Sequence, residues 1–428
     1  MKILIKGGHV VDIKMGLDKP IDILIENGKI SEIGDNLELS SGDIIDASGK
    51  YVLPGLVDAH CHLRDPGFEY KEDIESGTKS AAAGGFTSIA CMPNTSPVID
   101  NQSIVKYIIN KAKQEGVVNV YPIGSISKGL KGEELSEIGE LKFAGAVALS
   151  DDGKPLKSSS LMKKALEYSS MFDITMISHC EDLELADEGV MNEGYQSTIL
   201  GLKGIPSASE EIMVARDIIL SEYTKVPIHI AHVSTELSVD LIRFAKKRGV
   251  KVTCETCPHY FVLTDEACDE FNTYAKVNPP LRTKKDVKAI IEGLKDGTID
   301  IIATDHAPHH IDEKNVEFDN AANGMVGFET AFPLAITYLV KPGHISIKDL
   351  VEKMCVNPSK ILGLNKGTLE IGNSADIVIV DVDEEFTVDI EKFQSKSKNS
   401  PFNGFSLKGS IYYTIVNGKI LVREKVML

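Results

Sequence analysis

Short apolar runs alternate with amphipathic stretches through the middle of this chain. The runs at 174–178, 227–231 and 301–304 have the length and branched side chains of buried strands. Between them, residues 208–220 and 237–245 repeat their apolar positions with the helical period. Strands that alternate with such helices predict an α/β fold with a parallel sheet. The number of units favours closure into a (β/α)8 TIM-type barrel.

The two ends of the chain show a different pattern, of short strands and tight turns. Asn27-Gly28 separates the strand-like segments 21–25 and 29–33, and Asn417-Gly418 lies within a similar pair near the C-terminus. Neither end alone buries much apolar surface. We therefore expect one small β-sandwich built from both termini. The predicted units are residues 1–53 (N-terminal part of the sandwich), 54–366 (barrel) and 367–428 (C-terminal part of the sandwich).

Polar residues with metal-binding side chains stand at the exits of several predicted strands. His60 and His62 follow the apolar segment 54–59, and alternate residues of a strand point to the same side, so both imidazoles can bind one ion. The alternative is two partly buried polar histidines. His179, His232 and Asp305 each close another apolar run. In a β/α barrel the strand exits converge, which favours a shared site.

Composition narrows the range of partners. The chain has 428 residues and a formal net charge of −17, which disfavours nucleic acid and anionic membranes as partners. No apolar run approaches the roughly 20 residues that span a bilayer, and the first residues do not resemble a signal peptide. Seven cysteines without a repeating framework fit a reducing compartment. These features predict a cytoplasmic enzyme that acts on a small molecule.

Two cysteine patterns require separate consideration. Cys254 and Cys257 form a Cys-x-x-Cys that could bind zinc or act as a redox pair, but the chain offers no second such pair, so two incidental thiols are the preferred interpretation. Cys61 lies between His60 and His62 and should point to the opposite face, which favours packing over metal binding.

Seven ordered motifs resemble those of the metal-dependent amidohydrolases and, within them, the dihydroorotases of the bacterial type I class. The resemblance covers essentially the whole chain. The motifs are residues 58–67 (DAHCHLRDPG), 92–95 (MPNT), 150–153 (SDDG), 178–181 (SHCE), 232–235 (HVST), 278–282 (NPPLR) and 303–309 (ATDHAPH).

The metal chemistry suits Zn²⁺, which binds histidine and carboxylate and lowers the pKa of water. His60, His62 and Asp305 could satisfy one ion. The additional His179 and His232 imply a second ion, and two ions need a bridging anion. Many amidohydrolases use a carboxylated lysine there, whereas type I dihydroorotases are similar in using an aspartate. The motif alignment favours Asp152 over Asp151, with a turn or capping carboxylate as the alternative role for either.

The resemblance implies a function and further roles. It implies reversible cyclisation of N-carbamoyl-L-aspartate to L-dihydroorotate and water in de novo pyrimidine biosynthesis, by a metal-activated hydroxide with Asp305 as general acid and base. Asp305 acting only as a ligand is the alternative. The Arg64 guanidinium can bind both oxygens of a substrate carboxylate. The alternative is an ion pair with Asp65 or Glu69 that only supports the fold. The resemblance assigns substrate contacts to Arg64, Asn94, Asn278, His309, Asn323 and Gly324.

Two other functions and one assembly are compatible with these observations. A hydantoinase or allantoinase shares the barrel and the cyclic-amide chemistry. A non-catalytic scaffold subunit of the same superfamily would be expected to lose metal ligands, whereas this chain keeps the histidines and Asp305. A homodimer is compatible with the sequence.

Overall fold

A computed structural model describes residues 2–428, so Met1 of the predicted N-terminal unit lies outside the described residues. Its central feature is an eight-stranded parallel sheet. The strands are β1 (Leu56–Cys61), β2 (Phe86–Cys91), β3 (Asn119–Gly124), β4 (Ala148–Ser150), β5 (Thr175–Ser178), β6 (Ile228–Ile230), β7 (Val252–Thr256) and β8 (Ile301–Ile302).

The sheet closes into a barrel. Each strand pairs in parallel with the next along the chain, from β1 to β8. The last gap is bridged just beyond β8, where Cys61 pairs with His306 and the His62 N–H donates to the His306 carbonyl at 2.8 Å. The exits of β1 and β8 are thereby held side by side, which brings His62 close to Asp305.

Amphipathic helices surround the barrel. The predicted helical stretches 208–220 and 237–245 fall within Ala208–Thr224 and Glu236–Lys247. Their apolar sides supply buried residues such as Val214, Val239 and Ile242 to the main core. The other α-helices are Ile74–Ala83, Gln102–Glu115, Ile138–Ala144, Ser159–Ser170, Leu183–Ala186, Tyr195–Leu200, Pro258–Val262, Lys284–Lys295, Ile311–Lys314, Phe328–Ala335, Ile347–Val351 and Asn357–Ile361.

Shorter helical turns complete the connections between these elements. Single π-helical turns continue two of the helices at Ile336–Val340 and Glu352–Val356. Short 3₁₀ turns occupy Lys128–Leu130, Asp265–Phe271, Thr273–Ala275 and Ile390–Lys392. No helix among residues 2–428 combines the length and the apolar character that crossing a bilayer requires.

Both termini build the second module, as a pair of sheets. One sheet has the strand order Lys29–Gly34, Asp22–Glu26, Lys2–Lys6, Asp43–Asp46. The other has the order Val426–Met427, Lys419–Arg423, Ser406–Val416, Ile377–Thr387, Tyr51–Pro54, His9–Asp12, Leu17–Pro20. A separate apolar cluster that includes Ile3, Ile23, Ile377 and Ile415 fills the space between them. A two-stranded parallel pair, Met191–Asn192 with Gly204–Ile205, lies apart from both sheets.

The two predicted Asn-Gly turns are present and they contact each other. Asn27 and Gly28 both have positive φ, as do Asn417 and Gly418, which matches the two-residue hairpin turn with left-handed residues. A Cβ on Gly418 would lie only 2.4 Å from Gly28 Cα. Glycine is therefore required there by close approach as well as by backbone conformation.

Between the two long C-terminal strands the chain leaves the sandwich. Residues 388–405, called the return loop below, run from Ile377–Thr387 to the barrel mouth and back to Ser406–Val416. Ser395 and Lys396 of this loop hydrogen-bond Glu72, which follows β1. A segment from the C-terminal unit thus reaches the end of the barrel where the strands exit.

Candidate active site

The six side chains predicted to bind metal converge at the carboxyl end of the barrel. They come from the exits of five strands. His60 is the last residue but one of β1, His62 directly follows β1, and His179 directly follows β5. Asp152, His232 and Asp305 stand two or three residues beyond β4, β6 and β8. All six are buried, with at most 7% of the residue surface exposed. The strand exits therefore bring together side chains that are up to 245 positions apart in sequence.

Asp152 lies at the centre of this cluster. Its Oδ1 is 3.5 Å from His60 Nε2, from His179 Nδ1 and from His232 Nε2. Its Oδ2 faces the other side and is 3.6 Å from His62 Nε2. The two oxygens of one carboxylate thus face different histidines.

The second face of the cluster contains Asp305. Its Oδ1 is 3.2 Å from His62 Nε2 and 3.6 Å from His60 Nε2. His60 therefore lies between the two carboxylates.

These separations fit a metal-binding set. Two atoms that both bind one tetrahedral zinc ion at about 2.0–2.2 Å lie about 3.3–3.5 Å apart. His60 Nε2 and Asp152 Oδ1 are buried and have no hydrogen-bond partner among the described residues. Buried polar atoms without partners are costly, and a cation between them would remove that cost.

The outer nitrogens of the rings are held by acceptors. His60 Nδ1 donates to Glu255 Oε1 at 2.6 Å, His62 Nδ1 to Asn94 Oδ1 at 2.9 Å, and His179 Nε2 to Glu181 Oε2 at 3.2 Å. A ring that donates outward through one nitrogen presents the lone pair of the other nitrogen to the cluster. This tautomer is the one that binds a metal ion.

The electrostatics of the cluster favour positive charge. Although burial disfavours the charged form, Asp152 and Glu255 raise the pKa of His60 well above its ordinary value. Burial likewise opposes charge on His179, but the nearby carboxylates of Asp152 and Glu181 raise its pKa to about 10. Against the opposing effect of burial, His60 and its neighbours hold the pKa of Asp152 well below the usual range. Carboxylates arranged in this way also stabilise a bound cation.

Asp151 and Asp152 have different surroundings, although they are adjacent. Asp151 turns away from the cluster, and its Oδ1 accepts from the backbone N–H groups of Ile126 and Ser127 at 2.8 and 3.0 Å. Only Asp152 lies among the histidines. Of the two aspartates that the sequence offered for the bridging position, Asp152 lies in the cluster, whereas Asp151 hydrogen-bonds the loop that follows β3.

A cleft of about 220 Å³ opens beside the cluster, and Arg64 lines it. The Arg64 Nε donates to the Pro308 carbonyl at 3.1 Å, and its Nη2 is 3.1 Å from His309 Nε2. Among residues 2–428, Arg64 forms no salt bridge. Asp65 pairs instead with Lys111 at 2.7 Å, and the Glu69 carboxylate accepts from the Gly67 N–H. A buried guanidinium with no carboxylate partner is suited to receive an anion.

The other predicted substrate residues all line this cleft. Asn94 also contacts the cluster, because its amide donates to Asp152 Oδ2 at 3.4 Å. The Asn278 amide donates at 3.1 Å to Glu181 Oε2, the acceptor beside His179. His309 Nε2 is 2.9 Å from the Asn323 carbonyl. Burial, with the charge of Arg64, lowers the pKa of His309 strongly, so its ring is neutral.

Gly324 brings two loops of the cleft together. Its φ is +136°, and a Cβ there would lie 2.7 Å from Ala307 Cβ. Its own polar groups have partners in the protein, since its N–H donates to the Lys276 carbonyl and its carbonyl accepts from Lys314 and Asn399. Gly324 thus contributes to the cleft wall through its lack of a side chain and its backbone conformation, and not through a free polar group.

Comparison with known proteins identifies the family. A family model described as dihydro-orotase-like matches residues 49–238. The chain is 81% identical over 425 residues to a dihydroorotase of Acetivibrio thermocellus, covering 99% of this chain and 100% of that protein. It is 73% identical over 428 residues to a dihydroorotase of Ruminiclostridium cellulolyticum, covering 100% of both. The chain belongs to the dihydroorotase family.

Solved structures of the same architecture carry other activities in their names. An L-hydantoinase (dihydropyrimidinase) from Arthrobacter aurescens superposes with a TM-score of 0.90 at 28% identity, over 100% of this chain and 97% of that chain. A dihydropyrimidinase from Brevibacillus agri gives 0.89 at 26% identity, over 100% and 96%. The predicted barrel with a sheet module from both termini is confirmed. The hydantoinase alternative is less well supported than dihydroorotase, given the much higher identities to dihydroorotases.

Sequence reasoning missed Glu255, which lies between the two cysteines of the Cys-x-x-Cys motif. Its carboxylate is fully buried and contacts both His60 and His229, at 2.6 and 3.2 Å. A glutamate inside a short segment expected to be a buried strand was the available signal, because a buried charge needs a partner. The cysteines themselves are buried free thiols, as expected. Cys61 also packs in the core.

His259 is a second residue that the sequence left unassigned. It lies with Cys257 beside Asp305, the ligand atoms of the three residues falling within 4.8 Å of one another. Burial lowers the pKa of His259 to about 4, so this ring is neutral beside the cluster.

Proposed function

We propose that this protein is a zinc-dependent dihydroorotase of the bacterial type I class that uses two metal ions. Its reaction is the reversible cyclisation of N-carbamoyl-L-aspartate to L-dihydroorotate and water, a step of pyrimidine biosynthesis. The observation that carries the proposal is the position of Asp152, with one oxygen 3.5 Å from three histidine nitrogens and the other oxygen facing His62. An aspartate so placed can bridge two cations.

Six residues would hold the zinc ions. One ion would be bound by His60, His62 and Asp305, the other by His179 and His232, and Asp152 would contact both. When bound, zinc polarises the ring carbonyl and lowers the pKa of water. Glu255, Asn94 and Glu181 hold the histidine rings in the orientation that this requires.

Asp305 is proposed to move the proton. Burial opposes ionisation, but the hydrogen bond from His62 and the charge of His60 keep the pKa of Asp305 below its usual range, so it is a carboxylate. Its Oδ1 faces the histidines, which leaves Oδ2 for a proton from the attacking water. Delivery of that proton to the leaving ring nitrogen completes ring opening. The reverse order serves cyclisation.

Arg64 is proposed to bind the substrate carboxylate. It is buried, lies in the cleft beside the cluster and has no carboxylate partner among residues 2–428. A guanidinium can bind both carboxylate oxygens at once. Asn94 and His309 are proposed to assist at the carboxylate, with Asn278, Asn323 and Gly324 near the ring.

Metal analysis combined with a ring-opening assay tests the proposal. We expect the purified protein to hold two zinc ions per chain, and activity after metal reconstitution to be independent of bicarbonate, because no carboxylated lysine has to form. Asp152→Ala should lose the second ion before the first and should lose activity. Asp35→Ala, which removes an exposed carboxylate in the N-terminal module, is the matched control and should retain both.

Two results would overturn the proposal. Full occupancy by two ions in Asp152→Ala would show that this aspartate does not bridge. Faster hydrolysis of hydantoin or allantoin than of L-dihydroorotate by the wild type would contradict the substrate assignment, while the metal site could stand.

A further inference from the structure

We infer that Asn399, in the return loop, is a positioning residue for substrate binding. It joins two loops that carry some of the proposed substrate contacts, residues 307–309 and 323–324, although it belongs to the C-terminal unit of the chain. The inference rests on the proposed function of His309 and of the Asn323–Gly324 loop, and it assigns a role to a residue outside the barrel.

Three hydrogen bonds join the Asn399 side chain to these two loops. Its Oδ1 accepts from the His309 N–H at 3.1 Å. Its Nδ2 donates to the Ala307 carbonyl at 3.1 Å and to the Gly324 carbonyl at 3.0 Å. One amide therefore joins both sides of the cleft wall.

The backbone of Asn399 adds a fourth contact, because its carbonyl accepts from the Val326 N–H at 3.0 Å. The residue is 2% exposed. It is therefore held in place by the chain that follows Gly324, and the contacts of its side chain are shielded from water.

The return loop is itself anchored to residues 71–72, in the chain that follows Arg64. Ser395 Oγ donates to Glu72, the Lys396 N–H donates to the same carboxylate at 3.3 Å, and Ser397 Oγ donates to the Lys71 carbonyl at 2.7 Å. Lys71 in turn is 3.4 Å from His309 Nδ1. The loop thus contacts both the chain that follows Arg64, at residues 71–72, and residues 307–309.

The contacts are not equally replaceable. The Gly324 carbonyl also accepts from Lys314 Nζ at 2.9 Å, so it keeps a partner if Asn399 is removed. For the His309 N–H, Asn399 Oδ1 is the only acceptor found among the described residues. Removal of the amide should therefore shift residues 307–309 more than the Gly324 loop, and should affect the carboxylate end of the cleft first.

The test compares Asn399→Ala with the wild type on two substrates. L-Dihydroorotate carries the ring carboxylate, whereas 5,6-dihydrouracil lacks it. We expect the KM for L-dihydroorotate to rise about ten-fold or more, the effect of one or two buried hydrogen bonds, with kcat changed less than about three-fold and zinc content unchanged. The kcat/KM for dihydrouracil should change much less, because that substrate does not use the carboxylate end.

Asn399→Asp provides a second variant of the same size. It keeps an acceptor for the His309 N–H but sets a carboxylate oxygen against two carbonyls, so its KM should be at least as high as that of Asn399→Ala. Asn403→Ala is the matched control, since Asn403 is an exposed asparagine of the same loop, whose side chain accepts only from the Ile390 N–H. It should behave as the wild type.

The outcomes separate this inference from the proposed function. If Arg64→Met raises the KM for L-dihydroorotate while both Asn399 variants leave it unchanged, Asn399 has no positioning role and the proposed function stands. If the Asn399 variants lower kcat/KM equally for both substrates, the residue is only structural and the inference is wrong. If neither Arg64→Met nor Asn399→Ala affects the carboxylate-bearing substrate selectively, the assignment of the cleft fails as well.

Discussion

Asp305 is proposed both to bind a metal ion and to move a proton, and its position is compatible with both roles. It lies where β1 and β8 exit side by side, in contact with His60 and His62 through one oxygen. Its φ of +46° lies in the left-handed region, which is unusual for a residue other than glycine. Such strain is maintained by the surrounding structure, and it sets the direction of this carboxylate.

The first prediction follows from the unused oxygen of Asp305. Asp305→Asn preserves size and one oxygen but cannot accept the proton, so ring opening should fall at least about 100-fold, the usual contribution of a general base. The measurement is kcat at constant zinc content, with folding checked by circular dichroism. Retention of more than about a tenth of kcat would show that another group moves the proton.

The second prediction concerns Arg64 and the carboxylate. We expect the wild type to prefer L-dihydroorotate over dihydrouracil by about two to three orders of magnitude in kcat/KM, the scale of a charge-assisted contact left unpaired. Arg64→Met should remove most of that preference by damaging only the carboxylate-bearing substrate. Arg64→Lys should restore little, because an ammonium cannot bind both oxygens in one plane. An unchanged ratio in Arg64→Met would assign carboxylate recognition to other groups.

At the scale of elements, the sequence predicted those parts of the fold that have a local period. Alternating strands and helices predicted the barrel, and the Asn-Gly pairs predicted both hairpins. The path of the return loop was not predictable, because residues 388–405 carry no strong period and their contacts with Glu72 and Gly324 are far away in sequence. The unit boundaries at 53/54 and 366/367 stay predictions.

In the candidate site, too, some features were predictable from the sequence and others were not. Residues at strand exits were predictable, since the exits of parallel strands converge. The contacts that orient them, such as Glu255 with His60, depend on which strands become neighbours and on which face of β7 points inward. The metal and substrate roles assigned to the individual residues stay predictions.

The third prediction tests the contact between the two hairpin turns. Gly418→Ala combines a left-handed residue, at about 1–2 kcal/mol, with a Cβ 2.4 Å from Gly28 Cα, at about 1–3 kcal/mol. The free energy of unfolding should therefore fall by about 2–5 kcal/mol. Gly16→Ala is the matched control, because Gly16 has a similar φ of +66° and no atom within 4 Å of its Cβ position. An equal loss in both variants would mean that the contact contributes nothing.

For the molecule as a whole, the proposed metal site connects distant parts of the barrel. The six proposed ligands come from β1, β4, β5, β6 and β8, so five of the eight strands meet at one place. Without a cation the cluster retains buried atoms that lack partners, such as His60 Nε2 and Asp152 Oδ1. The barrel is thus expected to be less stable when the metal is removed, because an ion that binds only the folded chain stabilises it by mass action.

The fourth prediction is the size of that effect. At free zinc about 1,000-fold above Kd, each ion contributes about 4 kcal/mol. A chain of this length has an unfolding entropy near 0.9 kcal/mol/K by the usual value of about 2.1 cal/mol/K per residue, so chelation should lower Tm by about 4–10 °C. Calorimetry of the chelated and zinc-restored protein measures it.

Zinc should restore both Tm and activity in that experiment, whereas Mg²⁺ should restore neither, because four of the six ligands are imidazoles and Mg²⁺ prefers oxygen. Asp152→Ala should show a smaller zinc-dependent change in Tm than the wild type, since it loses the residue that contacts both ions. An identical change in the two proteins would place the stabilising ion elsewhere in the molecule, and the convergence of five strands would then have to be explained by hydrogen bonding alone.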